Sequence, residues 1–183
     1  MVISNIFRIF APRKQFIIKG DKKMSTRSCI MLKVRKEDIG KVMKFDNTKV
    51  KVLNWDESNT KNNKEVCEKV ELNSNYIGIY CHWDGYPSYV GKVLKKAFNS
   101  YDKALNLILG GDASSIDCDY IKHYSNRGSE EWKWLKPKQD NTQNGVIRRI
   151  DCEYAYLFDE ERGGWLYKHT IGCGANKSGF KKF

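Results

Sequence analysis

The stretch Asn75-Tyr76-Ile77-Gly78-Ile79-Tyr80-Cys81-His82-Trp83-Asp84-Gly85-Tyr86-Pro87 decides the fold class of this 183-residue chain. Up to Trp83 it alternates, with Ile77, Ile79, Cys81 and Trp83 facing one way and Tyr76, Tyr80 and His82 the other. A period of two marks a strand with two unlike faces. Asp84-Gly85-Tyr86-Pro87 then breaks the strand, because Gly85 permits a sharp turn and Pro87 presets the backbone for a helix start. From Ser88 the period becomes helical, with Val90, Val93, Leu94, Ala97 and Phe98 on one stripe. A second helix follows on the same spacing, carried by Tyr101, Ala104, Leu105, Ile108 and Leu109. Ser100 is placed to cap its start and Gly110-Gly111 to end it.

Working outward, residues 28–34 are short, apolar and β-leaning, with Ile30, Leu32 and Val34 on one face. Residues 42–45 and 50–55 flank Asp46-Asn47-Thr48-Lys49 and predict a hairpin. Residues 56–64 are almost wholly polar and predict a loop inside one domain, since strand patterning resumes after them. Residues 113–144 show no period that assigns them. Residues 150–158 alternate again, which predicts Ile150, Cys152, Tyr154, Tyr156 and Phe158 on one face, with a turn at 159–164 and a partner strand at 165–169. The sum is an α+β fold: a mostly antiparallel sheet with two consecutive helices packed on one face. Met24-Ser25-Thr26-Arg27 has the look of a start, so residues 1–23 are expected to be a flexible extension, 24–171 one domain, and 172–183 a loose basic tail.

Lys and Arg number 33 against 22 Asp and Glu, a net charge of +11 and a pI of about 9.3. That balance excludes an acidic DNA mimic and points to anionic partners: a ribonucleoprotein, RNA or a nucleotide. The bland counterpart is a solvated, lysine-rich surface. An apolar share of 40% with 13% aromatics suffices for a core. The six cysteines are spread without a C-x-x-C pair and the three histidines are scattered, which predicts reduced thiols, no metal site and no cofactor. No stretch approaches the roughly 20 apolar residues of a membrane span. Residues 1–20 lack the basic n-region and cleavage site of a signal peptide, so a cytoplasmic protein with no membrane partner is expected.

The chemistry concentrates where the strand meets the helix. His82 and Asp84 flank Trp83, the helix start at Ser88 offers free N–H groups, and Tyr80, Tyr86 and Tyr89 add hydroxyls and flat rings. The plain structural alternative has Asp84 bonding turn amides, Trp83 in the core and His82 bonded to a neighbour. The pairing of Met24-Ser25-Thr26-Arg27-Ser28-x-Ile30 with Tyr80-x-His82-Trp83-Asp84-Gly85-Tyr86-Pro87 resembles a family of small phage and prophage proteins. In that family a Thr-Arg-x-x-Ile strand precedes a Tyr-x-His-Trp-Asp-Gly-Tyr-Pro turn and a leucine-rich helix. Gly91, Val93-Leu94, Gly110-Gly111-Asp112 and the late Tyr-rich hairpin fit the same pattern, over roughly residues 24–169. The extension and the polar insertion at 56–64 depart from it. The resemblance implies a phage origin and a site, with no reaction attached.

Three functions follow as expectations. The first is an anti-CRISPR-like binding protein acting in the host cytoplasm, which blocks a nucleic-acid-guided defence complex or sequesters a nucleotide signal. Here Arg27 acts as an anion clamp beside Tyr80, His82, Trp83, Asp84, Tyr86 and Ser88. The second is a basic RNA- or DNA-binding module using Lys122, Tyr124, Trp132, Lys133, Trp134 and Lys136, with rings to stack bases and lysines to follow phosphates. The third is a phosphodiesterase or nuclease with His82 as general acid or base and Asp84 orienting it. That reading needs a second histidine or carboxylate within reach, and His123 and His169 are the candidates.

Overall fold

The computed structural model describes residues 26–50, 69–124, 135–170 and 179–183. The extension at 1–23, residues 51–55 of the expected hairpin, the polar loop at 56–64, Trp132-Lys133-Trp134 and residues 172–178 lie outside the described residues. In chain order the strands are β1 (Ser28–Lys33), β2 (Val42–Met43), β3 (Val70–Glu71), β4 (Tyr76–Cys81), β5 (Ala113–Ile116), β6 (Ile121–His123), β7 (Lys138–Asp140), β8 (Tyr154–Asp159), β9 (Gly164–His169) and β10 (Lys181–Lys182). The α-helices are α1 (Lys92–Ala97), α2 (Tyr101–Leu109) and α3 (Gln143–Ile150).

Among the described residues eight strands form one mixed sheet in the order β10-β9-β8-β1-β4-β5-β6, with β7 sharing the free edge of β4. β1 lies at its centre, antiparallel to β4 from Ser28↔Cys81 to Lys33↔Tyr76 and parallel to β8 from Ser28↔Tyr154 to Leu32↔Phe158. β4 divides its outer edge: β7 pairs with Tyr76–Gly78, while β5 meets it at Cys81↔Ala113. Most ladders are antiparallel, and only β1·β8 and β4·β5 run parallel among the described pairs. The architecture is α+β, as the sequence implies.

The pleat sorts the core into two layers. Ile30, Leu32, Ile77, Ile79, Cys81, Tyr156 and Phe158 belong to one buried cluster with Val93 and Leu94 of α1 and Ala104, Leu105 and Ile108 of α2. Cys29, Met31, Ala155, Leu157 and Leu166 point the other way and pack with Val146 and Ile150 of α3. Both faces of the sheet are therefore covered, where the sequence predicted cover for one. α3 docks where β4 has no side chain: a Cβ on Gly78 would stand 2.8 Å from Val146 Cγ1. Thr142 caps α3 by accepting the Gly145 N–H at 3.0 Å, as Ser100 caps α2 through the Lys103 N–H at 3.4 Å. Gly111, at φ 82, follows the end of α2.

Two further expectations are corrected. Ile150 and Cys152 do not share a face with Tyr154, Tyr156 and Phe158. Residue 150 ends α3, and Asp151 at φ 48 reverses the chain before β8 begins. β2 pairs with β3, Val42 with Glu71 and Met43 with Val70. The helix after the turn begins at Pro87 with one wide π-helical turn, Pro87–Gly91, before α1 takes over. Cys29, Cys81 and Cys152 are buried thiols, and burial pushes Cys81 up to about 12. No helix among the described residues is long and apolar enough to cross a membrane.

Candidate functional site

β4 ends at Cys81, and the next six residues are fixed from three directions. The His82 and Trp83 N–H groups donate to the Ala113 and Ser114 carbonyls of β5 at 3.1 and 2.9 Å. The Gly85 N–H donates to the Thr26 carbonyl at 2.8 Å, and the buried Tyr156 hydroxyl of β8 donates to the Gly85 carbonyl at 2.7 Å. Gly85 packs so closely on the chain leading into β1 that a Cβ there would lie 2.6 Å from the Thr26 oxygen and 2.9 Å from Ser28 Cβ. These clamps hold Asp84 at φ 56, a left-handed conformation that Asp and Asn adopt more readily than other side chains.

A rigid turn of this kind lifts its side chains off the sheet. Trp83, expected on the face of Cys81, is instead 42% exposed, and Tyr86 is 37% exposed. Asp84 and Ser88 are exposed as well, and His82 is half-buried. The Trp83 and His82 rings pack T-shaped, with centroids 4.5 Å apart. The Tyr80 hydroxyl lies 2.6 Å from His82 Nδ1. Burial pushes that phenol up to about 12, so it keeps its proton and is placed to donate to the imidazole. Behind it, Asp112, the residue before β5, accepts the Tyr80 N–H at 2.9 Å and pairs with Lys138, a part-buried brace between β4 and β7.

The loop after β5 brings residues that the sequence did not single out. Asp117 accepts the Cys118 N–H at 2.6 Å through one oxygen and the Tyr89 hydroxyl at 3.2 Å through the other. The Tyr86 hydroxyl stands 3.5 Å from Asp84 Oδ1, and the Tyr86 and Tyr89 rings are tilted with centroids 6.3 Å apart. Burial, then Asp117 and Asp84, push the Tyr89 and Tyr120 phenols up, which puts both carboxylates in one electrostatic neighbourhood with these rings. Asp117 and Tyr120 come from the unassigned 113–144 stretch. The available signal was the compact Asp117-Cys118-Asp119-Tyr120 turn between two short apolar runs.

The other sequence candidates fall elsewhere or are engaged. Arg27 sits beside the turn, but its guanidinium is given to Glu153 at 3.1 Å and Asp151 at 3.2 Å, which leaves it a poor clamp for an outside anion. Tyr124 is 8% exposed and its N–H donates to the Asp112 carbonyl, so its ring face is not offered to a base. Lys122 lies with its ammonium 5.9 Å from the Tyr120 ring centroid, and Lys136 is exposed ahead of β7. Trp132, Lys133 and Trp134 are outside the described residues. His123 is buried against Gly110 and the edge of Phe45, and its Nδ1 donates to the Gly111 carbonyl at 3.0 Å. His169 is on β9, three strands from β4, which is roughly 14 Å at ordinary strand spacing. Among the described residues no group of three or more His, Cys, Asp or Glu is arranged to hold a metal ion. No family model, curated protein or solved structure matches this chain.

Proposed function

We propose that this protein acts by binding: a phage-encoded, anti-CRISPR-like inhibitor that docks on a host defence complex through the turn at residues 82–87. The observation that carries the reading is a pair of large, exposed aromatic side chains, Trp83 and Tyr86, on a backbone fixed by contacts to β5, β8 and the chain before β1. Preordered aromatic anchors give binding energy with little entropy lost on association, which is why such residues dominate protein interfaces. The phage setting and the defence target rest on the resemblance of the Thr-Arg and Tyr-x-His-Trp-Asp-Gly-Tyr-Pro segments described above.

The same arrangement speaks less for the other functions. A nucleotide trap wants an available cation at the turn, and Arg27 is committed to two carboxylates. A two-histidine hydrolase wants a partner for His82, while His123 is buried and His169 stands on a strand three places away. The test is expression of tagged protein in the host and identification of what remains bound at moderate salt. A stoichiometric protein complex is the expected result. Bulk RNA that leaves steeply with salt would favour the basic-surface reading instead.

A further inference from the structure

We propose that residues 180–183 form a strap that sets the order of the turn at 82–87, with Phe183 as a positioning residue that acts through Tyr156. The consequence for binding rests on the docking reading, while the coupling itself does not. Strand geometry sets up the strap. β10 pairs with the edge of β9 over two residues, Lys181↔Tyr167 and Lys182↔Leu166, and both lysines are exposed. Phe180 and Phe183 stand three positions apart, an odd step that sends side chains of an extended chain to opposite faces. Phe180 accordingly packs in the layer of Leu157, Leu166 and α3, and its carbonyl accepts from the Arg162 guanidinium at 3.0 Å. Phe183 goes to the other side, against Tyr156 and Tyr167.

The contacts of Phe183 lead to the turn. Its ring lies parallel to that of Tyr156, with an interplanar angle of 3° and centroids 5.9 Å apart, and its centroid is 5.0 Å from that of Tyr167. The Lys95 ammonium of α1 stands 5.3 Å from the same ring. Gly91 permits the approach: a Cβ there would meet Phe183 Cε1 at 2.3 Å, and the three nearest atoms all belong to Phe183. Gly91 closes the π-helical turn that Pro87 opens, so the ring bears on the helix start. Tyr156 is fully buried and carries the contact inward, because its hydroxyl donates to the Gly85 carbonyl at 2.7 Å. Phe183 is 38% exposed and is thus the outermost member of a stack that runs through Tyr156 to Gly85. A hydrogen bond weakens steeply as its angle bends, so a ring that fixes the tilt of Tyr156 also fixes its hold on the turn. Withdrawal of the strap loosens the turn without opening the sheet, since β9 keeps its ladder with β8 from Tyr154↔His169 to Asp159↔Gly164. Seated, the strap keeps Trp83 and Tyr86 preordered for docking; withdrawn, it removes that preorder.

The experiment follows amide hydrogen exchange by nitrogen-15 NMR on the full chain, in the parent, Phe183→Ala, Gly91→Ala and the double variant. The reporter is the Gly85 N–H, bonded to the Thr26 carbonyl at 2.8 Å, and the control is the Val146 N–H of α3, in the core layer on the opposite face of the sheet. Phe183→Ala should raise Gly85 exchange about tenfold or more and Val146 exchange less than about threefold, because local opening is read residue by residue. Gly91→Ala suits the helical backbone there, at φ −58, but pushes the ring from its slot, so it should give the same signature. In the Phe183→Ala background that methyl meets no ring and should change Gly85 exchange less than about twofold, the non-additivity of a shared contact. An unmoved Gly85 amide, equal acceleration at Gly85 and Val146, or additive effects in the double variant would overturn the inference. Capture of the host partner is measured separately. If Gly85 responds as expected while Trp83→Ala with Tyr86→Ala still captures the partner, the docking reading falls and the strap stands. If Gly85 does not respond while that variant loses capture, the strap falls and the docking reading stands.

Discussion

Gly85 and Asp84 hold the turn by opposite means, one by having no side chain and the other by tolerating a left-handed backbone. Gly85→Ala forces a methyl to within 2.6 Å of the Thr26 oxygen, so the turn or the start of β1 must move. The expected cost is about 1–3 kcal/mol, read as a lower denaturant midpoint at unchanged slope. Asp84→Asn should leave stability nearly unchanged, because its backbone preference is the same. His123 gives a pH signature. Burial lowers its pKa from 6.5 to about 4, because protonating Nε2 against Gly110 would strand a buried charge. The unfolded chain therefore takes the proton first as pH falls, and stability is lost between pH 6.5 and 4, by up to about 3 kcal/mol. His123→Gln should flatten that part of the profile. Parallel loss of stability in parent and variant between pH 7 and 4.5 would refute the assignment.

Elements with a strong period were legible, and those held by tertiary contact were not. β1 announces itself as a short apolar run, β4 and the β8–β9 hairpin by alternation, and α2 by its stripe, its Ser100 cap and its glycine end. α3 is different. Its segment Gln143-Asn144-Gly145-Val146-Ile147-Arg148-Arg149-Ile150 contains two poor helix formers and only three apolar residues. It forms because Thr142 caps it and because Gly78 leaves room for Val146 on the sheet. β7, Lys138-Gln139-Asp140, has no apolar residue at all and exists by pairing with the exposed half of the β4 edge. Helix α3 should thus be sensitive at its cap. Thr142→Ala removes the acceptor for the Gly145 N–H and should cost about 1 kcal/mol in urea unfolding. A change within error would mean that packing on Gly78 alone sustains the helix.

At the scale of the molecule, the turn from His82 to Pro87 is where the two levels of reading meet. The sequence located it, because a strand period, a Gly and a Pro coincide there. It did not show that Trp83 leaves the sheet, since alternation continues on paper past the true end of β4 at Cys81. Nor did it show that Asp117, 33 positions from Asp84, comes across from the β5–β6 loop through the β4·β5 pairing and bonds Tyr89. The result is a basic protein whose most exposed aromatic side chain among the described residues, Trp83, stands on a backbone held by β5, β8 and the chain before β1. The most direct test compares capture of the host complex by the parent and by Trp83→Ala with Tyr86→Ala, at matched melting temperature. Loss of capture by about thirtyfold, the scale of a single interface hot spot, is the predicted result. Undiminished capture by the folded double variant would contradict the turn as the docking site.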